Sequence, residues 1–171
     1  FINIIRHLHV WNYAAHLSLI GGNKWNNFSN KVNKYVKTGN DLRIFESNLL
    51  KDLKGKKLLE EWKNLYEVVF DNFKLENPKR RVKWVGPDMS IISSISARHM
   101  ETWAHGQAIY DSLNIQRKNK DRIINIVIIG NNTFKWSYLV NNMRVPSLAP
   151  FLKLVSPSGK IWEFNNPNNS N

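Results

Sequence analysis

The sequence predicts a mainly α chain of the α+β class, in which a helical bundle is followed by a small C-terminal α/β part carrying a β-hairpin. Three observations carry that prediction. Apolar residues recur at three- and four-residue spacings through most of the chain up to Leu113, the period of amphipathic helices. The stretch "FLKLVSPSGKIWEF" alternates apolar and polar positions on either side of a Pro/Ser/Gly turn, the pattern of two paired strands. No internal repeat is visible, so the helices precede the strands as a block.

Taken in order, residues 2–20 place Ile4, His7, Leu8, Trp11, Ala15 and Leu19 on one helical face, and Gly21-Gly22 ends that helix. Trp25 to Val36 predicts a shorter helix, stopped at Gly39. A longer helix is expected from Asn40 or Asp41, a good N-cap, to Phe73 with a break near Gly55; its inner stripe is Leu49, Leu53, Leu58, Trp62, Leu65, Val69 and Phe73. A basic loop, 77–87, leads to Asp88 or Ser90, either of which can cap a helix reaching Leu113. A polar linker spans Asn114 to Asp121. Residues 121–142 are rich in β-branched and aromatic side chains but long for a strand, so their first part reads as helix. The tail "NNPNNSN" reads as frayed or cut short.

With 171 residues and 20.0 kDa the chain holds one domain and a small appendage, which we divide at 1–116 and 117–171. A hydrophobic fraction of 42% with 12% aromatics excludes the disordered class. No apolar run approaches the roughly 18 residues of a membrane span, and the first residues lack the basic n-region of a signal peptide, so a cytoplasmic protein is expected. The chain starts at Phe1, without Met and already in helical pattern, as a fragment would. Cysteine is absent, which excludes disulfides, Cys-based metal sites and a protein thiol nucleophile. The net charge of +12 permits attraction to nucleic acid or acidic lipid, but the basic residues are spread along the chain and read first as solvated surface.

Chemistry concentrates in "SARHMETWAHGQ", residues 96–107. Glu101 and His105 stand four apart and therefore share one helical face. Around them Ser94, Ala97, Ala104 and Ala108 are small, beside a bulky stripe of Ile92, Ile95, Trp103, Ile109 and Leu113. A carboxylate facing a bundle interior needs compensation, because leaving it unpaired costs several kcal/mol. Three compensations stay open: a surface pair with His105, which is the commoner case for a lone E-x-x-x-H; neutralisation by Arg98; or a divalent metal with a third ligand from another helix. His7 shares a face with Ile4 and Trp11 and points inward; a single His there is more often a packed core residue than a ligand. His9 and His16 fall on the other side. Together His7, Glu101 and His105 form a His₂Glu set, which leaves a coordination position free as catalytic zinc sites do.

These motifs, "HLHVWNYAAHLSL" and "SARHMETWAHGQ", resemble the metal-binding bundle shared by mycothiol-dependent maleylpyruvate isomerase and the DinB-like superfamily. "VKWVGPDMS" is similar to the W-x-G-P-x-M-S stretch that precedes the metal helix in an uncharacterised metal-binding branch, and the hairpin resembles its small C-terminal domain, which nomenclature links to wyosine base formation. The resemblance implies a four-helix bundle with His7, Glu101 and His105 on a divalent metal, usually zinc. It also implies an earlier helix and more chain after the hairpin, so the face of the first helix is expected to be partly uncovered. Two departures stand out: Ala108 replaces an acidic residue, and the stretch around Gly130–Phe134 lacks the basic residue expected after Thr133.

The preferred reading is a metal-dependent thiol-assisted isomerase or transferase, using mycothiol or glutathione and acting on a small-molecule substrate. Arg98, Trp103, Gln107 and Trp11 are placed to orient the ligands or line the pocket. A metal-assisted hydrolase is the near variant. The alternatives are a basic RNA-associated, wyosine-related or scaffold protein with a vestigial metal site, and a purely structural His₂Glu site. Nucleic acid is not favoured as a partner, a membrane is not expected, and a homodimer is allowed.

Overall fold

The computed structural model describes residues 1–169, and the chain divides into two compact units, Phe1–Leu113 and Asn114–Asn171. Among the described residues there are seven α-helices and two small two-stranded sheets, a mainly α architecture with a small C-terminal β part. No helix is long and apolar enough to cross a membrane.

The first unit is built around α1 (Ile2–Ile20), which packs against α2 (Gly22–Lys37), α3 (Leu42–Leu49), α4 (Gly55–Lys74) and α5 (Ile91–Ser112). One flank, Val10, Trp11, Ala14 and Leu17, meets Trp25, Phe28, Val32, Phe45, Leu50 and Leu58. The other, Ala15 and Leu19, meets Val69, Phe73, Val82 and Ile91. The expected uncovered face of α1 is therefore corrected: four helices surround it, and fully buried Ala14 and Ala15 let them approach closely.

Local chemistry sets the boundaries. Gly21 and Gly22 adopt φ of 73° and 65°, a left-handed pair that turns α1 directly into α2, three residues before the expected start at Trp25. The helix expected from Asn40 or Asp41 is broken near Gly55 as expected, giving two helices. Asp41 caps α3 by accepting from the Arg43 amide, and α4 begins only at Gly55. That break rotates the register, so Leu49 is 41% exposed and Leu50 takes the core position. Farther along, Leu58, Val69 and Phe73 are buried as expected.

The basic loop contains a short antiparallel pair, β1 (Arg81–Val82) with β2 (Met89–Ser90), which projects the segment carrying Trp84. Buried Val82 anchors it, and Ser18 donates its hydroxyl to the Lys83 carbonyl. Of the two candidate caps, Ser90 accepts from the Ser93 amide and starts α5. The inner stripe of α5 is shorter than expected: Ser94 and Ala97 are buried, whereas Ala104, Ala108, Ile92 and Leu113 are exposed.

In the second unit the β-branched stretch is helical, with a 3₁₀ turn at Asp121–Ile123 followed by α6 (Ile124–Asn132) and α7 (Phe134–Val140). The hairpin forms where expected, β3 (Leu152–Val155) with β4 (Ile161–Phe164), registered Leu152 to Phe164 and Val155 to Ile161. Asp121 accepts from the amide and hydroxyl of Ser158, tying the hairpin tip to the first turn. The tail expected to fray is structured where it is described, since the Asn165 amide donates to Asn131 Oδ1 at 2.7 Å and to the Pro150 carbonyl. Its last residues, Ser170 and Asn171, lie outside the described residues.

Candidate metal centre

Helices α1 and α5 cross in the first unit, and that crossing brings His7 to Glu101 across 94 positions of chain. His7 Nε2 stands 3.3 Å from Glu101 Oε2, and His105 Nε2 stands 3.2 Å from the same oxygen. One ligand atom from each of the three residues lies within 4.8 Å of the others, and the two imidazole rings meet edge to face at 4.6 Å between centroids. The cluster is half-buried, with His105 its most exposed member.

A fourth residue, unforeseen in the sequence, completes it. Glu46 of α3 is 2% exposed, accepts from His7 Nδ1 at 2.7 Å, and accepts from the Trp11 indole N–H at 2.9 Å. Its burial had a legible sign: Glu46 shares a face with Leu42 and Leu50, so an acid sits among core positions and requires donors. Two helical turns of α1 thus supply both the imidazole and the indole that satisfy it.

Electrostatics follow from this arrangement. Burial, the largest influence, pulls the His7 pKa down, but hydrogen bonds to Glu101 and Glu46 together with their charges outweigh it and raise the imidazole to about 9. The His7 hydrogen bond holds the Glu101 carboxyl below its ordinary value against burial, aided by the charges of Arg98, His7 and His105. His7 thus lies between the carboxyl groups of Glu46 and Glu101.

A cavity of about 240 Å³ opens beside the cluster, lined by His7, Trp11, Trp84, Val85, Arg98 and Glu101. Trp84 packs against both Trp11 and Trp25. Of the residues expected around the site, Trp11 and Arg98 line this cavity. Trp103 and Gln107 lie outside its lining, and Gln107 donates instead to Asp111 along α5 at 2.7 Å. In the sequence Trp84 stands out only within the motif VKWVGPDMS; its place in the wall comes from the connection between β1 and β2.

The fold and this centre define a class: a helical-bundle domain in which α1 and α5 bring two imidazoles and a carboxylate together beside a tryptophan-walled cavity. The chain belongs to the DinB-like mycothiol maleylpyruvate isomerase N-terminal domain family, which it matches over residues 3–110. It is 33% identical over 107 residues to uncharacterized proteins from two strains of Mycobacterium tuberculosis, an alignment covering 63% of this chain. The aligned part is 42% of those relatives' length. No solved structure matches.

Proposed function

We propose that the chain is the divalent-metal domain of a thiol-dependent isomerase or transferase, with His7, Glu101 and His105 as ligands and zinc as the ion. The observation that carries this reading is the convergence of one donor atom from each of three residues to within 4.8 Å, with the outer nitrogen of His7 already supported by Glu46. Ligands about 2.0–2.2 Å from a tetrahedral ion stand roughly 3.3–3.6 Å from one another, and the two contacts to Glu101 Oε2 fall at or just below that spacing. With Nδ1–H donated to Glu46, a neutral His7 directs its Nε2 lone pair at the same point as His105 Nε2, the carboxylate–imidazole support typical of metal-binding histidines. His7, Glu101 and His105 would hold the ion, which would supply Lewis acidity to a thiol bound beside them. Membership of the mycothiol maleylpyruvate isomerase N-terminal domain family supports a small-molecule thiol such as mycothiol or glutathione, and this chain itself has no cysteine.

The test is a titration of the metal-free full chain with Co²⁺ and Zn²⁺. Saturation at one equivalent, with the visible absorption of tetrahedral Co²⁺, is the expected result; absence of saturable uptake overturns the reading.

A pH dependence accompanies it. Because the folded-state pKa of His7 lies above its ordinary 6.5, its ion pairs stabilise the metal-free fold fully below pH 6.5, and this contribution is lost as pH rises through about 9. Metal must displace the same proton, so zinc affinity rises across that window. Thermal unfolding in chelator should therefore show Tm falling from pH 6.5 to 9, while the stabilisation added by zinc grows. Parallel pH profiles with and without zinc would contradict His7 as a ligand.

A further inference from the structure

We infer that Arg98 is an anion anchor: its guanidinium receives a carboxylate of the small molecule that occupies the cavity beside His7 and Glu101. The inference deepens the function proposed above and rests on it for the neighbouring ion.

Arg98 is 6% exposed, yet its Nε and Nη1 are buried without a hydrogen-bond partner. Burial at this level pulls the guanidinium pKa down, with the Glu101 charge opposing that pull. Glu101 acts on Arg98 through its charge, while Nε and Nη1 have no hydrogen-bond acceptor. A buried arginine is ordinarily paired, and donors left without acceptors inside a fold mark a group whose partner is still to arrive.

The surroundings say what that partner is. Trp84 lies against the guanidinium, 5.2 Å from ring centroid to Cζ, and Trp84 is itself packed on Trp11 and Trp25. Packing against an indole engages a guanidinium's face and leaves its in-plane N–H donors for an acceptor, and Nε and Nη1 are donors without one here, so a carboxylate is the complementary group. The cavity that Arg98 lines is also lined by His7 and Glu101, so one small ligand reaches both ends. Charge points the same way. With neutral imidazoles, the carboxylates of Glu46 and Glu101 are set against a divalent ion and Arg98, which leaves one positive charge for an incoming anion to offset.

The carboxylate could be carried by the thiol or by its reaction partner, and two probes separate these sources: malonate, which has no thiol, and 3-mercaptopropionate. Full-length protein is first assayed for bound zinc, then titrated with each acid while the ¹⁵N-labelled Nε–H resonance of Arg98, assigned through its own side-chain carbons, is followed. A saturable shift is expected in the parent, and isothermal titration calorimetry with the same acids should give an affinity at least tenfold weaker in Arg98→Met and only partly recovered in Arg98→Lys at unchanged zinc content. A shift with malonate assigns the carboxylate to the reaction partner; a shift with 3-mercaptopropionate alone assigns it to the thiol. The resonance measurement needs no variant, so it decides the matter even if Arg98→Met fails to fold. No shift with either acid, or equal affinity in Arg98→Met, overturns the anchor and leaves the metal centre standing. Arg98-dependent binding in a chain that takes up no zinc keeps the anchor and removes the metal.

Discussion

Purified with Glu101→Gln and His105→Ala together, the chain should carry no stoichiometric zinc and keep the helical circular dichroism of the parent. The two expectations have separate causes. Removing two of three donors leaves His7 as the single ligand, too few to hold an ion against buffer. The fold survives because the second half of α5, from His99 onward, contributes no fully buried side chain; its anchoring comes from Ile91, Ser94, Ala97 and Arg98. Glu46→Gln provides a graded companion. It keeps the size of the side chain and an oxygen for the Trp11 N–H, but it withdraws the negative charge from His7 Nδ1–H. Loss of such a support typically costs about 10–100-fold in metal affinity. Zinc content measured by elemental analysis should therefore fall to zero in the double variant, and a competition titration should show only weakened binding in Glu46→Gln. Zinc retained equally by parent and double variant would refute the centre.

The largest effect on stability is expected at Trp11, which joins the core to the site. Its ring packs against Trp84 and the core cluster of Val10, Ala14 and Phe28, while its N–H holds Glu46. Trp11→Ala removes both and should destabilise the metal-free bundle by about 3–5 kcal/mol, the range for deleting a buried aromatic ring. Trp11→Phe retains most of the packing and deletes only the donor to a buried carboxylate, for which about 1–3 kcal/mol is expected. Urea unfolding in the presence of chelator separates the two contributions. A Trp11→Phe variant as stable as the parent would show that the indole N–H adds nothing to the seating of Glu46.

Much of this architecture was legible before any coordinates. Amphipathic spacing located α1, α4 and α5, while the candidate caps Asn40 or Asp41 and Asp88 or Ser90 bracketed the starts of α3 and α5, the structure choosing Asp41 and Ser90. The alternation around "SPSG" marked the hairpin. Glu101 and His105 were readable as a pair because a four-residue separation places two side chains on one face of any α-helix, whatever surrounds it. Errors gathered where tertiary packing overrides periodicity. Leu49 gave way to Leu50 because the α3–α4 break rotates the register. Ala104 and Ala108 are exposed, because the face of α5 turned to His7 carries Glu101 and His105 and not these two alanines.

The sequence by itself determined the helical class, the hairpin, the absence of a protein thiol and the local pairing on α5, all of which depend on neighbours a few residues apart. Only the tertiary structure decided that Glu46, on a third helix, buttresses His7, and that Trp84, from a strand connection, backs an otherwise unpaired Arg98. The physical reason is range: helix periodicity repeats every few residues and is written into local spacing, whereas a buried charge is satisfied by whichever distant element the packing of α1 brings against it.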